Sequence, residues 1–299
     1  MSIRLALLFL VSVATARAAM NGTQETYVSK AGESGSVLEF RAAQGSTSLR
    51  SENFDREPSN WEGINNRGIS FKPKRVTQDF GYSSTSWHAG RKPGEVGGII
   101  NPAAEPAYFG YRLPQPLNLN CRINASGRLF VAPGPGHFLL GFFNAQTLNE
   151  WRTPNTLAVR INGRGEGFYC HLEYCTGRWR PGAGVIGDIV PGRRIHAKLM
   201  PAGRVYDWRL TYEPDESAGT GLVTLTLSNE SCICTVTKEQ RAEGATFTHF
   251  GLAPVLKSWD NAGEAWIADV TVNGKPLDFS RDPGWEGAGN RTTYVTSGG

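Results

Sequence analysis

Between Leu157 and Tyr174 apolar side chains recur at every second position, and that alternation constrains the fold more than any other feature of the chain. Leu157, Val159 and Ile161 alternate with Ala158, Arg160 and Asn162, the period-two pattern of a strand with one face buried. After Gly163-Arg164-Gly165-Glu166-Gly167, the residues Phe168, Cys170, Leu172 and Tyr174 fall on one side and Tyr169, His171 and Glu173 on the other. With the apolar set turned to a core, Arg160, Asn162, Tyr169, His171 and Glu173 share one polar-aromatic surface, as an antiparallel sheet with a solvated face allows. No helix follows the three glycines, so they read as a hairpin turn and not as a phosphate loop. Trp151 and Arg152 in the preceding loop, and Arg178-Trp179-Arg180 after the second strand, are expected to flank the surface.

The remainder reads as all-β. Candidate strands are residues 76–82, 107–113, 128–132, 195–200, 206–212 and 222–227, and no window carries a long helical period. Residues 206–212 and 222–227 form an expected hairpin across a loop at 213–221. With 36 glycines and 17 prolines the chain is punctuated at short intervals, which suits a face-to-face sandwich or jelly roll.

The first residues read as an address. Met1 to Arg4 is a short basic region, an apolar run follows from Leu5 to Ala14, and Ala16-Arg17-Ala18 is a small-x-small cleavage site. Residues 1–18 are therefore expected to be a signal peptide, the run being too short to span a bilayer, and the protein to be exported, periplasmic or extracellular. Residues 19–52 are polar and turn-rich and read as a lead-in. A formal charge of +4 over 299 residues, with no Lys/Arg run, argues against nucleic acid as a partner.

One motif occurs twice. Residues 53–67 carry Phe54, Arg56, Pro58, Trp61-Glu62-Gly63 and Asn66-Arg67, and residues 279–291 repeat them in order as Phe279, Arg281, Pro283, Trp285-Glu286-Gly287 and Asn290-Arg291. Such self-similarity suggests either one pseudo-symmetric unit or the start of another. The second reading is preferred: a complete unit at residues 53–277, and an incomplete second repeat beginning at residues 278–299. Trp61 and Trp285 are expected to staple their unit together, and Trp259 and Trp266 to flank the closing strand in the core.

Five cysteines leave at least one unpaired. Export permits disulfides, but Cys232 and Cys234 share a strand face and neighbours that close rarely bridge; burial in the core is the alternative. Cysteine-held zinc lacks any C-x-x-C pair. No cofactor is implied beyond a structural calcium that Asp260, Asn261, Glu264 and Asp269 have the oxygens to hold, with Asp260 and Asp269 as the candidate ligands.

The hairpin Trp208-Arg209-Leu210-Thr211-Tyr212 with Gly221-Leu222-Val223-Thr224-Leu225, then His249-Phe250-Gly251-Leu252 and Trp266-Ile267-Ala268-Asp269-Val270-Thr271-Val272-Asn273-Gly274, resembles the concanavalin A-like lectin/glucanase (LamG-like) jelly roll over roughly the second half of the chain. Phe80-Gly81-Tyr82-Ser83, His88-Ala89-Gly90 and Gly94-Glu95-Val96-Gly97-Gly98 also resemble exported proteins of planctomycete-type bacteria. The first resemblance implies a two-sheet jelly roll acting on glycans at a concave sheet face or its rim. The sequence departs from that superfamily's enzymes: the Glu-x-Asp-x-x-Glu strand of laminarinase-like members is absent, as are the Arg-x-Glu-x-Arg and Gln-Ile-His strands of alginate-lyase-like ones.

Three functions stay open. The first is a carbohydrate-binding protein recognising a polysaccharide through Trp151, Arg152, Arg160, Asn162, Tyr169, Arg178 and Trp179, since aromatic platforms and polar partners suit sugar rings and hydroxyls. The second is a glycoside hydrolase or polysaccharide lyase with His171 as base and Glu173 as acid, two residues apart on one strand face. The third is a non-catalytic scaffold or surface repeat protein. Glycan is the expected partner in the first two, with no membrane span.

Overall fold

The computed structural model describes residues 26–29, 36–39, 74–148, 153–178, 182–188, 196–217, 219–256 and 261–296. The chain divides into two units, Met1–Gly68 and Ile69–Gly299. In the first, strands β1 (Thr26–Ser29) and β2 (Ser36–Glu39) pair antiparallel.

In the second unit the chain runs through β3 (Lys74–Ser83), β4 (Glu95–Ile100), β5 (Tyr108–Asn118), β6 (Ile123–Val131), β7 (His137–Phe143), β8 (Thr156–Arg164), β9 (Gly167–Cys175) and β10 (Gly182–Val185). The short strands β11 (Gly187–Asp188), β12 (His196–Ala197) and β13 (Met200–Pro201) follow. Then come β14 (Val205–Ser217), β15 (Thr220–Leu227), β16 (Glu230–Val236), helix α1 (Lys238–Glu243), β17 (Thr246–Pro254), β18 (Gly263–Val272), β19 (Lys275–Pro276), β20 (Glu286–Ala288) and β21 (Arg291–Thr296).

Among the described residues these strands form two large sheets. The first has the order β10-β9-β8-β7-β17-β5-β20, with β13 also on β9. The second has the order β16-β15-β14-β6-β18-β4-β3-β21, with β19 on β18. All their pairings are antiparallel, and the chain crosses repeatedly from one layer to the other, giving an all-β, two-sheet jelly-roll sandwich. One core lies between the layers: Phe138, Leu140, Phe142, Val159, Phe168, Leu172, Phe250 and Leu252 from the first sheet meet Leu129, Tyr206, Trp208, Leu210, Leu225 and Ile267 from the second.

The alternation read from 157 to 174 is realised as β8 and β9, with Phe168, Cys170, Leu172 and Tyr174 in the core. Elsewhere the structure revises the expectations. The loop at 213–221 is much shorter, because β14 continues to Ser217 and β15 starts at Thr220; a register shift between Glu213 and Ser217 accommodates Pro214. Of the strand expected at 195–200, the described residues keep only β12 and the first residue of β13. Trp266 is not in the main core. Its ring lies on the far side of the second sheet, stacked on His88 at 4.9 Å in a small cluster with Ala89 and Ala268.

Residues 278–299 do not open a further unit among the described residues; they complete this one. β20 pairs with β5 at the edge of the first sheet and β21 pairs with β3 at the edge of the second. Trp285 is buried against Phe109, Phe250 and Phe279. The Asn-Arg end of the motif docks on β3: Asn290 Nδ2 donates to the Phe80 carbonyl at 2.6 Å and Arg291 Nη2 to that of Tyr82 at 2.8 Å. The earlier copy of the motif lies outside the described residues, as do Trp61 and Trp259. The cysteines expected either paired or in the core are split: Cys170 and Cys175 are buried, and Cys232 and Cys234 are half-buried with both side chains against the core.

Candidate functional site

Strand register sets out the outer face of the first sheet row by row. His137, Asn162 and Tyr169 stand side by side on β7, β8 and β9. Leu139, Arg160 and His171 form the next row, and Gly141, Ala158 and Glu173 the one after. The five polar residues expected to share a surface therefore do share it. The face is drier than a solvated sheet surface, however, with Glu173 only 3% and His137 only 2% exposed, beside the buried apolar group Leu139, Ala158 and Val255.

Burying charge is costly unless the charge is paired, and here it is. Arg160 Nε donates to Glu173 Oε2 at 2.6 Å, the two side chains being 14% and 4% exposed. Arg160 Nη1 lies 3.0 Å from His137 Nε2. A guanidinium can only donate, so His137 Nε2 is the acceptor and the ring is the neutral tautomer protonated on Nδ1. This arrangement bears on the expected acid role of Glu173, whose carboxylate is engaged by a cation and accepts hydrogen bonds instead of presenting a proton. His171 is half-buried, directly across from Arg160.

Asn162 Oδ1 is buried without a hydrogen-bond partner. It is an acceptor, flanked in its own row by an imidazole and a phenol, and an orphaned buried acceptor marks where a donor would be gained.

A second polar group lies on the same face toward its other edge, and the sequence reading did not foresee it. His249 on β17 is buried; its Nε2 is 3.0 Å from Glu286 Oε2 and its Nδ1 is 2.8 Å from the Thr248 hydroxyl. Arg112 donates to Glu286 Oε1 at 3.1 Å. These two donors hold the Glu286 carboxyl below its ordinary value. The ring of His249 stacks on Phe143 and tilts against Tyr108, whose phenol is pushed up by burial and then by Glu286. His137 went unrecognised for a related reason. All seven residues of β7 are buried, so the strand reads as a continuous apolar run in which inward and outward positions look alike.

The other expected residues fare differently. Trp151, Arg152, Trp179 and Asp260 lie outside the described residues. Arg178 is not on the sheet face: beyond the end of β9, its side chain is 90% exposed and approaches Glu243 of α1 at 3.9 Å. Asp269, expected to help hold calcium, sits on the second sheet with its Oδ2 3.9 Å from Arg128 Nη1, and a guanidinium at that distance opposes a divalent cation. Among the described residues no group of three or more His, Cys, Asp or Glu is arranged to hold a metal, and no helix is long and apolar enough to cross a membrane.

No family model matches the chain, and no curated protein does. Among solved structures it is similar to the carbohydrate recognition domain of Emp47p, with 10% identity over 67% of this chain and 90% of that one and a TM-score of 0.37. It is also similar to alginate lyase PA1167 from Pseudomonas aeruginosa, with 11% identity, 52% of this chain covered and a TM-score of 0.34; the match spans 65% of that enzyme, just under two thirds of its length. A family 7 alginate lyase, A1-II′, matches at 9% identity over 69% of this chain and 79% of its own, with a TM-score of 0.30. At these levels the likenesses say nothing of what this chain itself recognises.

Proposed function

We propose that this is an exported glycan-binding protein that recognises a polysaccharide on the outer face of its first sheet. The observation that carries the reading is the orphaned Asn162 Oδ1, buried in one row with His137 and Tyr169. A sugar hydroxyl is the right donor for it, and the half-buried Tyr169 ring offers an apolar surface to a pyranose. Binding is favoured over turnover because Arg160 and Glu173 are spent on each other, so the carboxylate that a hydrolase would need as acid is already engaged.

The test is gel retardation of the purified protein on neutral, sulfated and uronic-acid polysaccharides, with reducing-end and unsaturated-product release followed in parallel. Retardation without product, weakened about tenfold by Asn162→Ala at a cost typical of one lost buried hydrogen bond, is the expected outcome. Product that disappears in His171→Ala would make the protein a glycan-degrading enzyme instead. Neither signal on any polysaccharide would leave the scaffold reading in its place.

A further inference from the structure

On the opposite side of the molecule, the second sheet carries a groove of about 390 Å³ lined by Arg91, Ser126, Arg128, Asp207, Arg209 and Asp269 among others. Its floor is a defect in the β6–β18 ladder. Ala268 pairs with Arg128 and Thr271 with Ser126, so Asp269 and Val270 together oppose the single residue Gly127. That is a bulge, with Asp269 at φ 52°. Across the other edge of β6, Gly127 pairs with Trp208. The Trp208 Nε1 atom lies only 3.3 Å from where a Cβ on Gly127 would stand, so the glycine leaves the indole N–H open toward the gap.

Trp208 is 2% exposed and its Nε1 has no hydrogen-bond partner. Arg128 Nη1, lining the same groove, is likewise buried without one, since Asp269 Oδ2 stops at 3.9 Å. Both orphaned atoms are donors and neither group can accept. Arg91 and Arg209 add further positive charge, partly offset by Asp207 and Asp269.

We infer that this groove is a second ligand site, specific for an oxyanion, namely a carboxylate or sulfate group. A neutral hydroxyl could serve one donor, whereas an oxyanion has enough lone pairs to take the guanidinium and the indole together. The anion's source is either a free salt or an acidic sugar on a glycan, and the two share this chemistry. The inference does not rest on the sugar reading of the first sheet.

The test follows the Trp208 indole resonance of ¹⁵N-labelled full-length protein during titration with sodium sulfate, sodium glucuronate and chondroitin sulfate, with sodium chloride holding ionic strength constant. The resonance is expected to move with sulfate or glucuronate and not with chloride. Arg128→Gln is expected to weaken the response about tenfold, the cost of one charge-assisted bond. Asp269→Asn, which removes a competing carboxylate at an exposed position where asparagine tolerates the backbone, is expected to strengthen it. A response to the free anions alone assigns the site to small oxyanions; a markedly tighter response to chondroitin sulfate assigns it to glycan. A resonance unmoved by any of the three, or moved equally in Arg128→Gln and Asp269→Asn, would overturn the site. Asn162→Ala is expected to leave this response intact, which separates failure here from failure on the first sheet.

Discussion

Glu173 and Arg160 show how one pair of residues can look like chemistry in the sequence and act as structure in the fold. Two carboxylate-bearing strand positions away from His171, Glu173 fits an acid; in three dimensions its nearest polar neighbour is a guanidinium at 2.6 Å. Breaking a buried pair strands the other charge, so Glu173→Ala is expected to lower unfolding stability by roughly 3–5 kcal/mol in urea titrations. Replacing both members, Arg160→Met with Glu173→Leu, is expected to cost much less, because no buried charge is then left alone. A single substitution as mild as the double would mean the pair is solvated. Glu286 makes a different prediction. Its carboxyl is held below its ordinary value of 4.5 by hydrogen bonds from His249 and Arg112. A depressed carboxyl contributes stability that is complete above the unfolded value and is lost as pH falls through the folded one. Melting temperature is therefore expected to decline as the pH drops below about 4.5 with a component that Glu286→Gln removes; an unchanged acid limb in that variant would count against the linkage.

At the scale of elements, legibility tracked how cleanly inward and outward positions differ in polarity. β8 and β9 were readable because Arg160, Asn162, Tyr169, His171 and Glu173 interrupt an apolar series, and the register confirms the face they share. β7 hid His137, and β4, with Gly97 and Gly98 at its centre, gave no strand signal; glycine there lets Trp266 lie against the backbone, 2.8 Å from where a Gly97 Cβ would stand. The second polar group could not be assembled from sequence, since it requires knowing that β17, β5 and β20 are neighbours. The segment between β3 and β4 is a further case. Glu95, fully buried, accepts from the backbone N–H groups of His88, Ala89 and Gly90 and lies 2.8 Å from the His88 ring, so one carboxylate fixes the whole turn. Glu95→Ala is expected to cost roughly 3 kcal/mol or more and to raise hydrogen exchange at those three amides selectively. Exchange that rises uniformly across the second sheet would show that the carboxylate supports the sheet rather than the turn.

For the whole molecule, the decisive elements are the last two strands. Read as sequence, residues 278–299 match residues 53–67 so well that they suggest a new beginning. Read as structure, they cover the outer edges of β5 and β3, and Trp285 fills core space between Phe109, Phe250 and Phe279. A motif of Trp, Asn and Arg can be repeated in sequence and still serve closure, because what it supplies is an aromatic plug and donors to backbone carbonyls at a sheet edge. A chain ending at residue 277 would lose that plug, worth about 3–5 kcal/mol for a buried tryptophan. It would also lose the carboxylate facing His249, and it would bare two long edge strands, which invite pairing with other chains. Expression of residues 53–277 is therefore expected to give aggregated protein, whereas residues 53–296 give a soluble monomer with a single cooperative transition. Trp285→Ala in the full chain isolates the plug: it is expected to lower stability without exposing either edge, and so to leave the protein soluble. Should residues 53–277 fold as stably as the longer chain, the closing role of β20 and β21 would be refuted and the repeat would regain its reading as the opening of a further unit.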